Sequence, residues 1–214
     1  MARYIEYANR QEWLASRQNT LGASEVASAM GQGYVSQLDL WKEKTGRKEH
    51  TDLSNNERVR YGTYAEAPLR ELFSLQFHYV YEVEWHPYRV YHNEKCDYLT
   101  ATLDGELTRK SDGKHGILEV KTAWIMSKRD LEKWENNSLP QNYYLQLLHQ
   151  LNVTGFDFVV LVAQLIFPDG KSEIRQYYIE RDEVEDDIAY VQEQAVKFWQ
   201  YVTSDKQPPV TLEL

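Results

Sequence analysis

The chain has 214 residues, 42% of them hydrophobic and 27% charged, with 16 Tyr and 6 Trp, enough for one large domain with a sizeable core. Its lone cysteine, Cys96, excludes an internal disulfide framework, a four-cysteine zinc site and an iron–sulfur cluster built by one chain. A formal charge of −9 weighs mildly against nucleic-acid binding, which draws on Lys and Arg, although the acidic residues crowd the stretch Glu180–Glu193 and leave room for a basic groove elsewhere.

The N-terminus does not resemble a signal peptide, and no apolar run approaches the about 20 residues that span a bilayer. The expected location is cytoplasmic, with no membrane partner. Repeats, low-complexity tracts and Pro/Gly/Ser linkers are absent, which argues for a single domain over 1–214. It divides into a mainly helical part over 1–80, a strand-rich part over 81–180 and a C-terminal helix and tail over 181–214.

In chain order, Gln11–Arg17 reads as a short amphipathic helix. Gly22–Gly31 reads as another, with Val26, Ala29 and Met30 on one face and Gly31 as its stop. A third helix is expected over Ser36–Thr45, closed by Gly46. Ser54-Asn55-Asn56-Glu57 has capping-box spacing and opens a long helical pattern. Its stripe runs Val59, Gly62, Glu66, Leu69, Phe73 and Phe77, so a carboxylate falls on the face turned to the core. Pro68 is expected to kink or restart that helix.

Strands are expected at Tyr88–Tyr91, Leu99–Thr108 and Gly116–Trp124, the last two joined by the turn Ser111-Asp112-Gly113. Lys128–Asn137 has no clear pattern. Leu139-Pro140 opens a helix to about Asn152, apolar at Tyr144, Leu147, Leu148 and Leu151, with Asn142, Gln146, His149 and Gln150 opposite. Phe156–Phe167 has the near-continuous apolar run of a strand buried on both faces. Ile174–Ile179 pairs with it across Pro168-Asp169-Gly170. The last helix carries the stripe Val184, Ile188, Val191, Ala195, Phe198 and Val202. This order predicts an α/β sandwich around one mixed sheet.

The chemistry centres on Asp104-Gly105 and Glu119-Val120-Lys121. Side chains alternate along a strand, so Glu119 and Lys121 share a face while Val120 points the other way. Burying charge there costs desolvation, which a metal ion held by Asp104 and Glu119 would offset. Each feature also has a plain explanation. Glu-X-Lys can be a surface ion pair, Asp-Gly a turn, Thr63-X-X-Glu66 a helix cap, and Gln146 can simply face water. As a set they point further. Asp104 precedes Glu119 by fifteen positions, the reach of a hairpin, and a third carboxylate lies upstream on an apolar stripe. Hard oxygen donors suit Mg²⁺ or Mn²⁺ better than zinc, and the histidines lack zinc-site spacing. Two such ions can activate water and stabilise both oxygens of a phosphodiester displacement.

Six pieces in order carry a resemblance to a known family: Trp13-Leu14-Ala15-Ser16-Arg17, Gly22-Ala23-Ser24-Glu25-Val26, Tyr61-Gly62-Thr63-Tyr64-Ala65-Glu66, Thr102-Leu103-Asp104-Gly105, Leu118-Glu119-Val120-Lys121 and Tyr144-Leu145-Gln146. The chain resembles the lambda-exonuclease-like (YqaJ-type) viral recombinases of the PD-(D/E)XK nuclease superfamily, from about Trp13 to the C-terminal helix. The resemblance implies a restriction-endonuclease-like core, with a central mixed β-sheet flanked by helices and a helical N-terminal part. It implies that Asp104, Glu119 and the Val120 carbonyl bind metal, and that Lys121 orients water and balances transition-state charge. It implies that Glu66 polarises water or touches a second metal, and that Gln146 contacts the reacting end of the substrate. Arg17, Ser24 and Thr102 resemble a pocket for a 5′-terminal phosphate; an arginine with two hydroxyls suits that group.

The implied activity is Mg²⁺-dependent 5′-to-3′ digestion of one strand of duplex DNA, by a ring-shaped homotrimer that works with a single-strand annealing protein. Three departures stand out. Leu103 replaces the superfamily's nominal proline, Thr102 replaces the family's serine, and Gln150 stands where helicase-linked relatives have tyrosine.

Overall fold

The computed structural model describes residues 3–209; the end of the expected C-terminal tail, 210–214, lies outside the described residues. Among the described residues nine strands form two sheets rather than one. The larger has the order β3 (Tyr81–Glu84), β6 (Gly105–Arg109), β7 (His115–Trp124), β8 (Phe158–Ile166) and β9 (Ser172–Glu180). Its pairs are antiparallel except β7 with β8. That parallel pair needs a crossover, which α5 (Lys128–Glu132) and α6 (Gln141–Thr154) supply. The smaller sheet has the order β1 (Arg3–Glu6), β4 (Arg89–His92), β5 (Leu99–Ala101) and β2 (Leu21–Gly22).

The expected strand Leu99–Thr108 is therefore broken into β5 and β6. Thr102, Leu103 and Asp104 carry the chain from one sheet to the other, which a uniform β-like pattern does not reveal. β1 and β3 have no counterpart in the sequence reading. Each is four residues long and is defined by a distant partner, β4 and β6 respectively.

The helices differ similarly. α1 (Arg10–Ser16) and α3 (Gln37–Lys44) fall where expected, capped by Asn9 and Ser36. The stretch Gly22–Gly31 is not one helix. Gly22 pairs with Thr100 in β2, a 3₁₀ turn follows over Ala23–Glu25, and α2 is only Val26–Ala29. The Glu25 carboxylate accepts the Gly22 amide at 2.9 Å, closing that turn. The long helix α4 (Glu57–Phe77) is capped by Asn56, which accepts from the Arg58 and Val59 amides, and not by Ser54. It runs through Pro68 without restarting. Its Thr63 hydroxyl donates back to the Val59 carbonyl, so Thr63 caps nothing and Glu66 is a mid-helix residue.

The core has two layers. Leu69 and Phe73 of α4 pack on Leu107, Leu118, Val120, Phe158, Val160 and Val162 on one face of the larger sheet. On the other face Val159, Leu161, Ala163 and Leu165 meet α6 and α7 (Glu185–Thr203). β8 is thus buried on both sides, as its apolar run predicts. α6 packs against β7 and β8 of one sheet, β4 and β5 of the other, and α2 and α7. Sheet on two sides explains why its polar side is not wet: His149 and Gln150 are both fully buried.

Candidate active site

The catalytic candidates meet where the chain crosses between the sheets. Asp104 ends the β5–β6 link, and its Oδ2 accepts the Val120 amide at 2.8 Å. This bond sets the Asp104 carboxylate beside the backbone that carries Glu119 and Lys121. Gly105 eases the close packing of the two strands here, since a Cβ there would stand 3.2 Å from Leu118 Cβ. The Asp104 carbonyl accepts from Arg70 at 2.7 Å, and the same guanidinium nitrogen donates to Glu66 at 3.1 Å. Arg70, one turn beyond Glu66 on α4, therefore ties the off-pattern carboxylate to the Asp104 link. Spacing of i and i+4 was the available signal for it.

Glu119 is 2% exposed. Its Oε1 accepts from Gln146 Nε2 and pairs with Lys121 Nζ, both at 2.5 Å, and its Oε2 accepts from Gln150 Nε2 at 2.6 Å. Gln146 is thus an inward-facing partner of the site rather than a solvated residue. Gln150 joins it one turn later, a site residue that the sequence places on the polar side of the helix and otherwise marks as a departure from helicase-linked relatives. Burial and the nearby Glu119 charge push Asp104 well above the ordinary carboxylate range, against the pull of Lys121. Burial would lower Lys121, but Glu119 and Asp104 together hold its ammonium above the usual lysine value. Two carboxylates share one ammonium here, so the centre lacks positive charge.

That shortage fits a divalent cation. Among the described residues no three Asp, Glu, His or Cys side chains converge into a cage. An ion would take carboxylate oxygen from Asp104 and Glu119 and fill its shell with backbone and water oxygens, as hard cations such as Mg²⁺ commonly do. A cavity of about 550 Å³ lies elsewhere, lined by residues such as Arg89, Tyr91, His115 and Arg181; charge and hydrogen bonding locate this site, not volume.

Arg17 and Ser24 also come together, with guanidinium to Oγ at 3.0 Å. The parallel register Gly22↔Thr100 brings both chains to the same end of the smaller sheet, two residues before Ser24 and Thr102. Lys44 Nζ braces this corner, donating to the Arg17 carbonyl at 2.8 Å and pairing with Glu25 at 2.9 Å. Among the described residues Arg17 pairs with no carboxylate, so its charge is available to an anion.

The architecture is the expected restriction-endonuclease-like α/β fold. An alkaline exonuclease from Laribacter hongkongensis superposes with a TM-score of 0.65, covering 91% of this chain and 93% of that one at 16% identity. Its complex with dAMP gives the same score and coverage at 18% identity. Residues 12–157 match the YqaJ-like viral recombinase domain, and the chain belongs to that family. The uncharacterized protein YqaJ of Bacillus subtilis is 24% identical over 192 residues. That match covers 89% of this chain and 56% of the relative, so the chain spans little more than half of its length.

Proposed function

We propose that this chain is a Mg²⁺-dependent exonuclease. It would degrade one strand of linear duplex DNA from the 5′ end and leave a 3′ single strand for recombination by strand annealing. The observation that carries the reading is the convergence of Asp104, Glu119 and Lys121 around the Val120 backbone. The viral recombinase family and the exonuclease-like fold support it.

Asp104, Glu119 and the Val120 carbonyl would hold the metal, with Glu66 beside them. Two ions fit the reaction class, and Mn²⁺ is a natural substitute. The bound metal would supply an acidified water and a counter-charge for the phosphorane-like transition state. Lys121 stays cationic because two carboxylates face it, so it serves as a fixed positive charge that orients water and balances developing charge. Gln146 holds Glu119 on one side and faces the reacting end of the strand on the other. Arg17, Ser24 and Thr102 would anchor the terminal 5′-phosphate, the arginine as a charge-assisted donor.

The proposed partners are duplex DNA ends, two further copies in a homotrimeric ring and a single-strand annealing protein, in the cytoplasm. A ring would also accommodate the net charge, with acidic faces outward and cationic ones inward. The test is digestion of 5′-phosphorylated linear duplex with and without Mg²⁺, beside covalently closed circular DNA. Metal-dependent loss of the linear substrate alone is expected. Cutting of the circle would make the chain an endonuclease or repair nuclease. Binding of ends without cleavage would make it a recombination accessory protein.

A further inference from the structure

Gln150 has more contacts than a spacer in a helix needs. Its side chain is fully buried, and Nε2 donates to two acceptors, Glu119 Oε2 at 2.6 Å and the Thr102 carbonyl at 3.3 Å. A primary amide nitrogen carries two hydrogens, and here each goes to a different part of the site. The reverse orientation would set a carbonyl oxygen against a carboxylate, so the N–H side must face Glu119. The other end of the amide gains nothing: Oε1 is buried with no hydrogen-bond partner among the described residues. An apolar side chain would remove that orphaned acceptor but would also strip a donor from the buried Glu119 carboxylate, so the amide is retained for the bonds its nitrogen makes rather than for its oxygen.

We propose that Gln150 is a positioning residue that couples the phosphate corner to the metal carboxylate, one N–H fixing Glu119 and the other fixing the Thr102–Asp104 link. The proposal rests on the exonuclease reading above. Thr102 follows β5 and lies two residues past Thr100, as Ser24 lies two residues past Gly22, the strand partner of Thr100, and Asp104 is two residues further on. A phosphate seated against Thr102 and Arg17 would therefore fix the same backbone that Gln150 ties to Glu119. End recognition and metal geometry become one adjustment. Few side chains can do this. Glutamate has no second donor, methionine has none, and asparagine is one methylene too short to span both acceptors from α6.

The test uses Gln150→Met, with Gln150→Asn as a second variant that keeps an amide in the core. Folding is checked by circular dichroism and thermal melting. Two quantities are then read: binding of Mn²⁺ alone to the DNA-free protein by electron paramagnetic resonance, and the ratio of digestion rates on 5′-phosphoryl and 5′-hydroxyl duplex. A folded Gln150 variant is expected to bind Mn²⁺ at least about tenfold more weakly and to lose at least about fivefold of the phosphate preference. Arg17→Ala should lose the preference while keeping wild-type Mn²⁺ binding. If either quantity stays at its wild-type value in a folded Gln150 variant, the coupling is wrong although the exonuclease reading stands. If the wild-type protein shows neither Mn²⁺ binding nor phosphate preference, the exonuclease reading falls and the coupling with it.

Discussion

The Val120 amide donates to the Asp104 carboxylate at 2.8 Å, joining the inter-sheet link to the middle of β7. This bond places Asp104 close enough to Glu119 for the two charges to repel, and Asp104 is accordingly pushed well above its ordinary range by burial and that neighbour. Asp104→Asn keeps an acceptor for Val120 and removes the charge. Digestion is expected to fall by at least about 10³-fold, a typical loss for a charge-stabilising group. Thermal stability without metal should rise by about 2–4 °C, the shift for about 1 kcal/mol in a chain of this size. A lowered melting temperature would contradict the repulsion.

Lys121 and Glu119 form the tightest charged contact of the centre at 2.5 Å. Lys121→Ala leaves Glu119 with its two glutamine donors, so the fold should persist. Glu119→Ala removes the acceptor for all three groups, and some destabilisation is expected. Neither variant should digest linear duplex at a measurable rate. Wild-type digestion by either one would remove the active-site assignment.

Much of this centre is legible in the sequence because it rests on local periodicity. Alternation puts Glu119 and Lys121 on one face of a strand, and the 3–4 spacing puts Glu66 on the inner stripe of α4. β8 and the last helix are equally plain, since their apolar patterns depend on no partner. What escaped depends on contacts far away in the chain. The break between β5 and β6 is stabilised by Gln150 and Arg70 from two different helices. Gln146, His149 and Gln150 look solvated because an amphipathic pattern assumes water opposite the core; α6 instead has a second sheet there. A polar helix face covering a buried carboxylate is indistinguishable from a wet one until the carboxylate's position is known.

Arg17 pairs with no carboxylate among the described residues and lies 3.0 Å from Ser24. Arg17→Lys keeps the charge but loses the forked geometry suited to phosphate. The expected result is a raised KM on 5′-phosphorylated ends, about tenfold or more, with kcat within about threefold of wild type, since one charge-assisted hydrogen bond contributes about 1.5–3 kcal/mol. The same variant on 5′-hydroxyl ends should match wild type. Steady-state kinetics on the two substrates checks both statements. An equal loss on both would assign Arg17 a structural role.

Arg70 touches Glu66 and the Asp104 carbonyl with one nitrogen and lies 4.4 Å over the Trp85 ring. It contacts no proposed metal ligand through that ligand's carboxylate oxygens except Glu66. Its loss should therefore misplace groups rather than delete one. Arg70→Met is expected to lower the digestion rate by about 10–100-fold, the usual cost of removing an outer support of a metal site. Higher Mg²⁺ should recover part of that loss. Mg²⁺ titration of the rate checks it, and an unchanged titration midpoint would count against the support role.

His149 gives a prediction that is independent of catalysis. It is fully buried, and although the Thr100 and Leu21 backbones lie near the ring, neither ring nitrogen makes a hydrogen bond of good geometry among the described residues. Burial lowers it from 6.5 to about 4, against a weaker upward pull from the Thr100 and Leu21 backbones. The folded state therefore resists protonation while the unfolded state accepts it near 6.5. Stability from this group is complete above that value, is lost as pH falls from 6.5 towards 4, and changes no further once both states are protonated. The full span is on the order of 3 kcal/mol, about 2 kcal/mol of it lost by pH 5. His149→Leu removes the titration. Urea unfolding at pH 7 and pH 5 should show wild type losing about 2 kcal/mol more between the two than the variant does. Carboxylate contributions are common to both proteins and cancel in that comparison, so equal losses would mean that the buried imidazole does not set the acid limb.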